Sequence, residues 1–326
     1  MKRTFASLAK PTAATAWSSD FLGIAAAILP HRIPRRLLVL LWTVFTCVAV
    51  QASNTEGVEI RTDLAFLGPD RAETLDLYLP AIRAPGRPLP ALVWIHGGGF
   101  VEGSKREDRA RQICSTLAAN GFIAASIDYH LGEGAWPQAL FDSKNAVRHL
   151  RKNAAVYGVD PQRIAVGGGS AGGFLALMVG NTASDTALEP NAPYPRISNA
   201  VSAVLTMYGP TVIGVRDEPG ATANGEQPRL RPVTVESFLS RASPPVLILH
   251  GTDDAVAHPR TAESLAVALK NNQVEHEFVL VEGVGHSFDW QSWEGRALPV
   301  NVEAIALAFL RKHLCSSPEE KKAAPH

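Results

Sequence analysis

The feature that most constrains this chain is the stretch Arg163-Ile-Ala-Val-Gly-Gly-Gly-Ser170-Ala-Gly-Gly-Phe174. Ile164, Ala165 and Val166 form a short apolar run of the kind that fills a buried strand. Phe174-Leu-Ala-Leu-Met-Val179 reads as a helix. Between them, Gly168-Gly169-Ser170-Ala171-Gly172 fits the G-x-S-x-G pattern of a nucleophile elbow. A turn that sharp has no room for a Cβ two residues before or after the serine, which accounts for Gly168 and Gly172. It lifts the hydroxyl above a sheet and aims the Ala171 N–H, at a helix N-terminus, toward a developing oxyanion. An ordinary Gly-rich strand-to-helix turn fits the same five letters, so the rest of the chain has to decide.

Around this stretch strands and helices alternate. Val58-Glu-Ile-Arg61 and Thr74–Leu79 alternate apolar and polar residues, as half-buried antiparallel strands do. Ala91–Ile95, Phe122–Ile127, Ile164–Val166, Val201–Leu205, Val246–Leu249 and Glu277–Val281 are short, apolar and mostly unalternating, which suits a parallel sheet covered on both faces. Helical stripes lie between them: Leu140, Ser143, Val147, Leu150; Ala262, Leu265, Ala266, Leu269; Val302, Ile305, Ala306, Phe309. The alternation predicts one doubly wound α/β domain of about eight strands over 53–315. The stretches Thr182–Ala200 and Gly214–Pro232 read as loops, too short for a large lid, and 316–326 as a charged, disordered tail.

The third strand ends in Ile95-His96-Gly97-Gly98-Gly99-Phe100. Consecutive glycines after a strand let backbone N–H groups converge on one point, as an oxyanion hole requires; Gly98 and Gly99 are the candidate donors, with Ala171 from the elbow. A serine nucleophile needs a base, and the base needs a group that orients it. Val246–Leu249 runs into His250-Gly-Thr-Asp-Asp254, and Glu277–Val281 into Glu282-Gly-Val-Gly-His286. Both lie at carboxyl ends of strands, where open α/β sheets bind their ligands. Ser170, Asp254 and His286 also follow the chain order of α/β-hydrolases. Asp253 reads as a solvated loop carboxylate, though spacing alone does not separate it from Asp254. Glu282 and Asp289 lie too near His286 in sequence to come from a separate strand. His250 reads as holding loop backbone, and neither His258 nor the other histidines show metal-ligand spacing. No metal and no cofactor is expected.

With these pieces in place, the chain from about Ala91 to Leu314 resembles the α/β-hydrolase esterases of the bacterial feruloyl-esterase-like and acetyl-xylan-esterase-like group. That group overlaps the hormone-sensitive-lipase type through His96-Gly-Gly-Gly-Phe100. The matching pieces include Asp128-Tyr-His-Leu131, Trp136-Pro137 with Asp142, Tyr157-Gly-Val-Asp-Pro161, Gly168–Gly173, Tyr208-Gly-Pro210, His250–Asp254 and Gly285-His286-Ser-Phe288. The resemblance implies an α/β-hydrolase fold without a large lid, and a serine esterase acting through an acyl-enzyme. Gly169 stands where the lipase-like branch usually has Asp, and Asp128-Tyr-His-Leu-Gly-Glu-Gly134 replaces its Asp-Tyr-Arg-Leu-Ala-Pro-Glu. Both departures point to carbohydrate-type esterases that release acetyl or feruloyl groups. Asp128 and Asp142 read as loop braces. Phe100, Trp136 and Trp290 are candidate substrate contacts, with core packing as their alternative. A serine exopeptidase, a generic short-chain carboxylesterase and a non-catalytic binding module are the rival readings.

Lys+Arg and Asp+Glu balance at 31 each, which leaves no net field to draw nucleic acid or anionic lipid. The expected partner is a small ester or acylated oligosaccharide, and no stable membrane partner is expected. Leu37–Val50 is a continuous apolar run after Arg35 and Arg36 that ends in Val50-Gln51-Ala52. It is shorter than the ~20 residues that span a bilayer. It reads as a secretory signal over 1–52, implying a secreted or periplasmic protein, with a retained anchor as the alternative. Removal takes Cys47 and leaves Cys114 and Cys315, read as two buried free thiols in preference to a disulfide.

Overall fold

The computed structural model describes residues 53–55, 57–216 and 230–315. The segment over 1–52 expected to direct export, residue 56, the expected tail over 316–326 and residues 217–229 of the Gly214–Pro232 stretch lie outside the described residues. In chain order the strands are β1 (Ser53–Thr55), β2 (Val58–Ala65), β3 (Thr74–Pro80), β4 (Leu89–Ile95), β5 (Ile123–Ile127), β6 (Val159–Gly169), β7 (Val204–Met207), β8 (Val212–Arg216), β9 (Leu230–Thr234), β10 (Val246–Gly251) and β11 (His276–Val281). The helices are α1 (Asp108–Ala119), α2 (Ala135–Lys152), α3 (Ala154–Tyr157), α4 (Ala171–Asn181), α5 (Arg260–Asn271) and α6 (Val302–Leu314).

Among the described residues a nine-stranded sheet forms in the order β1-β2-β3-β5-β4-β6-β7-β10-β11. β1, β2 and β3 pair antiparallel and β3 meets β5 antiparallel. From β5 through β4, β6, β7 and β10 to β11 every pairing is parallel. This is the α/β-hydrolase architecture, with one short strand more than expected because Ser53–Thr55 folds back along Val58–Ile60.

The unalternating sequences of β4, β5, β7 and β10 follow from cover on both faces. By contrast β11, expected to be buried likewise, is an edge strand buried only at Val281. β3, expected to be half-buried, is buried from Leu75 to Pro80 because it lies inside the sheet. In β4, Ala91, Val93 and Ile95 enter the core beneath α2, α4 and α5, while Leu92 and Trp94 enter the one beneath α1 and α6. The α4 segment Phe174–Val179 is buried throughout, as a helix apolar on every side requires. No helix of the described residues is long and apolar enough to cross a membrane.

Three further expectations are corrected. The strand expected at Val201–Leu205 begins only at Val204, where it gains partners in both β6 and β10. The ends of the Gly214–Pro232 loop form an antiparallel ribbon in which Gly214 pairs with Pro232. Cys114 is buried and free, but Cys315 is free and exposed, because α6 has ended and the thiol lies past its buried stripe. Around Cys315, at the amino ends of the parallel strands, a cleft of about 520 Å³ is lined by Pro80, Ile82, Arg87, Arg163 and Arg311.

Candidate active site

The elbow follows from sterics. A Cβ on Gly168 would lie 2.4 Å from Gly172 O, and one on Gly172 would lie 2.1 Å from Ile95 O. β6, α4 and the end of β4 approach this closely only with glycine at both places. Ser170 pays for the turn with φ 55° and ψ −124°. Its Oγ then stands off the end of β6, 2.9 Å from His286 Nε2.

His286 Nδ1 lies 2.7 Å from Asp254 Oδ2. The ionised carboxylate only accepts, so Nδ1 carries the hydrogen and Nε2 is left to accept from the serine. Asp254 is fully buried, and its Oδ1 accepts from Val256 N and Ala257 N at 2.9 Å each. His250 Nε2 donates to Ala257 O at 2.7 Å and closes the same turn. Burial holds the His250 imidazole below its ordinary pKa, and therefore neutral.

Asp253 is exposed and, among the described residues, accepts only from the Thr252 hydroxyl, so geometry separates it from Asp254. Asp289 accepts from Gln291 N and Ser292 N and shapes a turn. Among the described residues no three His, Cys, Asp or Glu side chains group to hold a metal.

The glycine loop after β4 is held from below. Gly98 has φ 104°, and a Cβ there would lie 1.9 Å from Glu102 O. The Tyr129 hydroxyl donates to His96 O and Gly97 O, and the two rings stack at 4.3 Å. Asp128 accepts Lys105 N at 2.9 Å and Lys105 Nζ at 2.8 Å. Asp142 accepts His130 N and both terminal nitrogens of Arg71. These two carboxylates therefore brace loops.

The three aromatic candidates part company. Phe100 and Trp136 are half-buried and meet Phe174 edge-on, with ring centroids 6.3 and 5.8 Å away, directly above the start of α4. Trp290 is 1% exposed and packs with Phe288 and Val302 in the core beneath α6. A ring with no open face cannot stack on a substrate, so Trp290 is corrected to a core residue.

Sequence reading missed three side chains near His286. Trp293, on the short hairpin of β12 (Ser292–Trp293) and β13 (Arg296–Ala297), donates from Nε1 to His286 O at 3.0 Å. Arg109 donates to Ser287 O at 2.8 Å across 178 positions of sequence, a contact with no local signal. The Tyr208 ring lies edge-on to the imidazole at 4.9 Å. A Cβ on Gly169 would sit 2.6 Å from the Tyr208 hydroxyl, so the ring leaves no room for a side chain at this position.

The chain is similar in sequence and fold to several known esterases. Esterase LipC of Mycobacterium tuberculosis is 30% identical over 262 residues, covering 76% of this chain and 64% of LipC. Esterase LipQ of the same organism is 28% identical over 248 residues, 70% of this chain and 57% of LipQ. The chain thus spans about three fifths of the length of these curated relatives.

Among solved structures, Thermogutta terrifontis esterase 2 phosphorylated by paraoxon is 28% identical with a TM-score of 0.65, covering 81% of this chain and 98% of that one. A truncated carbohydrate esterase from gut microbiota shares the fold at 21% identity and TM-score 0.66, covering 82% and 99%. The BD-FAE family model runs from Leu75 in β3 to Leu269 in α5, across the elbow and the Asp254 turn and over more than half of the chain, so the chain belongs to the BD-FAE family.

Proposed function

We propose that this protein is a serine carboxylic-ester hydrolase that works through an acyl-enzyme on Ser170. The observation that carries the reading is the line from Ser170 Oγ through His286 to Asp254, with steps of 2.9 and 2.7 Å, built on a serine at φ 55°. In this reading His286 takes the hydroxyl proton as Ser170 Oγ attacks the ester carbonyl, and Asp254 stabilises the imidazolium. The carbonyl oxygen becomes an oxyanion that accepts from the N–H groups of Gly98, Gly99 and Ala171. Collapse expels the alcohol, protonated by His286, and leaves the acyl group on Ser170 Oγ. Water, deprotonated by His286, then releases the acid.

The substrate class we propose is a short acyl ester, acetyl or feruloyl, on carbohydrate fragments. Phe100, which directly follows the oxyanion glycines, and Trp136 support it, since both are only half-buried and meet the same ring, Phe174 in the first turn of α4. A structure of Thermogutta terrifontis esterase 2, 27% identical, holds propionate, which favours a short acyl group. The relatives named simply as esterases favour a second reading, a general short-chain carboxylesterase.

Acetate release from acetylated xylo-oligosaccharides, run beside methyl ferulate and p-nitrophenyl butyrate, separates the two. Preferred acetate or ferulate release is the expected result. Activity on p-nitrophenyl butyrate alone leaves the general esterase. Ser170→Ala is expected to remove all of it, and equal activity in that variant rules out hydrolysis at this site.

A further inference from the structure

His286 stands in a loop, five residues past the end of β11 at Val281. Asp254 and Ser170 engage its two ring nitrogens, but neither holds its backbone. A functional side chain on a loop keeps its place only when surrounding residues lock that loop.

Here two consecutive carbonyls are tied from outside. Trp293 Nε1 donates to His286 O at 3.0 Å, and Arg109 Nη2 donates to Ser287 O at 2.8 Å. Ser287 is in the left-handed region at φ 66°, a conformation that needs such support. The indole packs so closely over Gly285 that a Cβ there would lie 2.6 Å from it. Arg109 is the second residue of α1, directly after the loop that carries Gly98 and Gly99, and Glu107 stands 3.7 Å from its guanidinium. The same guanidinium lies 5.9 Å from the centre of the Tyr208 ring, whose edge meets the imidazole.

We propose that Arg109 and Trp293 are positioning residues that fix His286 relative to Ser170, with Arg109 also tying the base loop to the oxyanion loop. The proposal rests on the ester-hydrolase reading of Ser170, Asp254 and His286. Proton transfer needs Nε2 within hydrogen-bond reach of the serine, and a displacement of about 1 Å costs on the order of 100-fold in rate. Both hold the loop through its backbone carbonyls, 3.0 and 2.8 Å away, so their loss is expected to fall on the chemical step and not on binding.

The test is steady-state hydrolysis of p-nitrophenyl butyrate by the full chain. Trp293→Phe keeps a ring and drops the N–H, while Arg109→Met keeps the stem and drops the donors. Each is expected to lower kcat about 10-fold with KM held within about twofold, and Arg109→Lys to recover most of the loss. The double variant is expected to lose less than the product of the two, because both act on one loop. An unchanged kcat in both single variants, or a loss carried by KM, overturns the proposal. If Trp293→Phe loses its cooperative thermal transition, the Arg109→Met and Arg109→Lys pair decides alone, since that side chain is partly exposed and its removal opens no core. Wild type without ester hydrolysis would overturn the underlying reading instead, so the two failures are distinct.

Discussion

At Gly172 a single added carbon would sit 2.1 Å from Ile95 O and 2.5 Å from His96 O. Gly172→Ala is therefore expected to push the elbow away from the oxyanion glycines and cost on the order of 100-fold in kcat. Hydrolysis of p-nitrophenyl butyrate checks this, and an active Gly172→Ala would mean that the backbone around Ser170 yields more readily than its spacing indicates. The serine, the aspartate and the histidine were legible as residues because each lies just past a short apolar strand sequence, close to glycines. The aromatic contacts were less so. Trp290 and Trp293 are three positions apart in one loop, yet one is sealed in the core and the other reaches His286 O. Which indole turns inward depends on the packing of α6 and Tyr208, elements far away in the chain.

The segment between β4 and α1 is an element without regular structure that is nonetheless pinned. Lys105, 4% exposed, donates from Nζ to Asp63, Thr74 and Asp128 at 3.1, 2.8 and 2.8 Å. Burial pulls its ammonium down, but the hydrogen bonds to Asp128 and Asp63 outweigh that and leave its pKa raised. Asp76, 2% exposed, lies 3.7 Å from the same nitrogen and takes Arg106 Nε at 2.9 Å. Removing a partner from a buried charge network costs about 3 kcal/mol. Because Asp76 keeps Arg106 and the other two carboxylates reach solvent, Lys105→Met is expected to lower stability by only about 1 kcal/mol in urea titrations, and to slacken the glycine loop enough to reduce kcat; an unshifted midpoint would count against the network's role. At this scale the apolar strands were readable and their neighbours were not. The exchange of β4 and β5 in the sheet order, the late start of β7 and the β8–β9 ribbon are all set by pairing with distant strands. No local pattern encodes a partner.

Across the whole molecule, several histidines are kept neutral inside. His149 lies between the hydroxyls of Tyr194 and Tyr157 at 2.7 and 2.9 Å, and burial, helped by Lys152, lowers its pKa from 6.5 to about 4. His96 and His250 are lowered as well, chiefly by burial. The unfolded chain takes up these protons near pH 6.5 and the folded chain only further down, so stability is full above 6.5 and is lost as pH falls toward about 4. His149 alone accounts for about 2 kcal/mol between about pH 7.5 and about pH 5. Urea midpoints at those two values are expected to differ in that direction, with the difference reduced in His149→Gln; equal midpoints would contradict it. The cleft beside Cys315 has a different bearing. Arg163 on its wall lies in β6 and Ser170 directly follows the end of that strand, about 23 Å away at the ordinary rise per residue. Cys114 is sealed in the core while Cys315 is open to reagents. A solid support that reacts with the Cys315 thiol would grip the molecule by its heel, leaving the serine turned outward to the passing substrate.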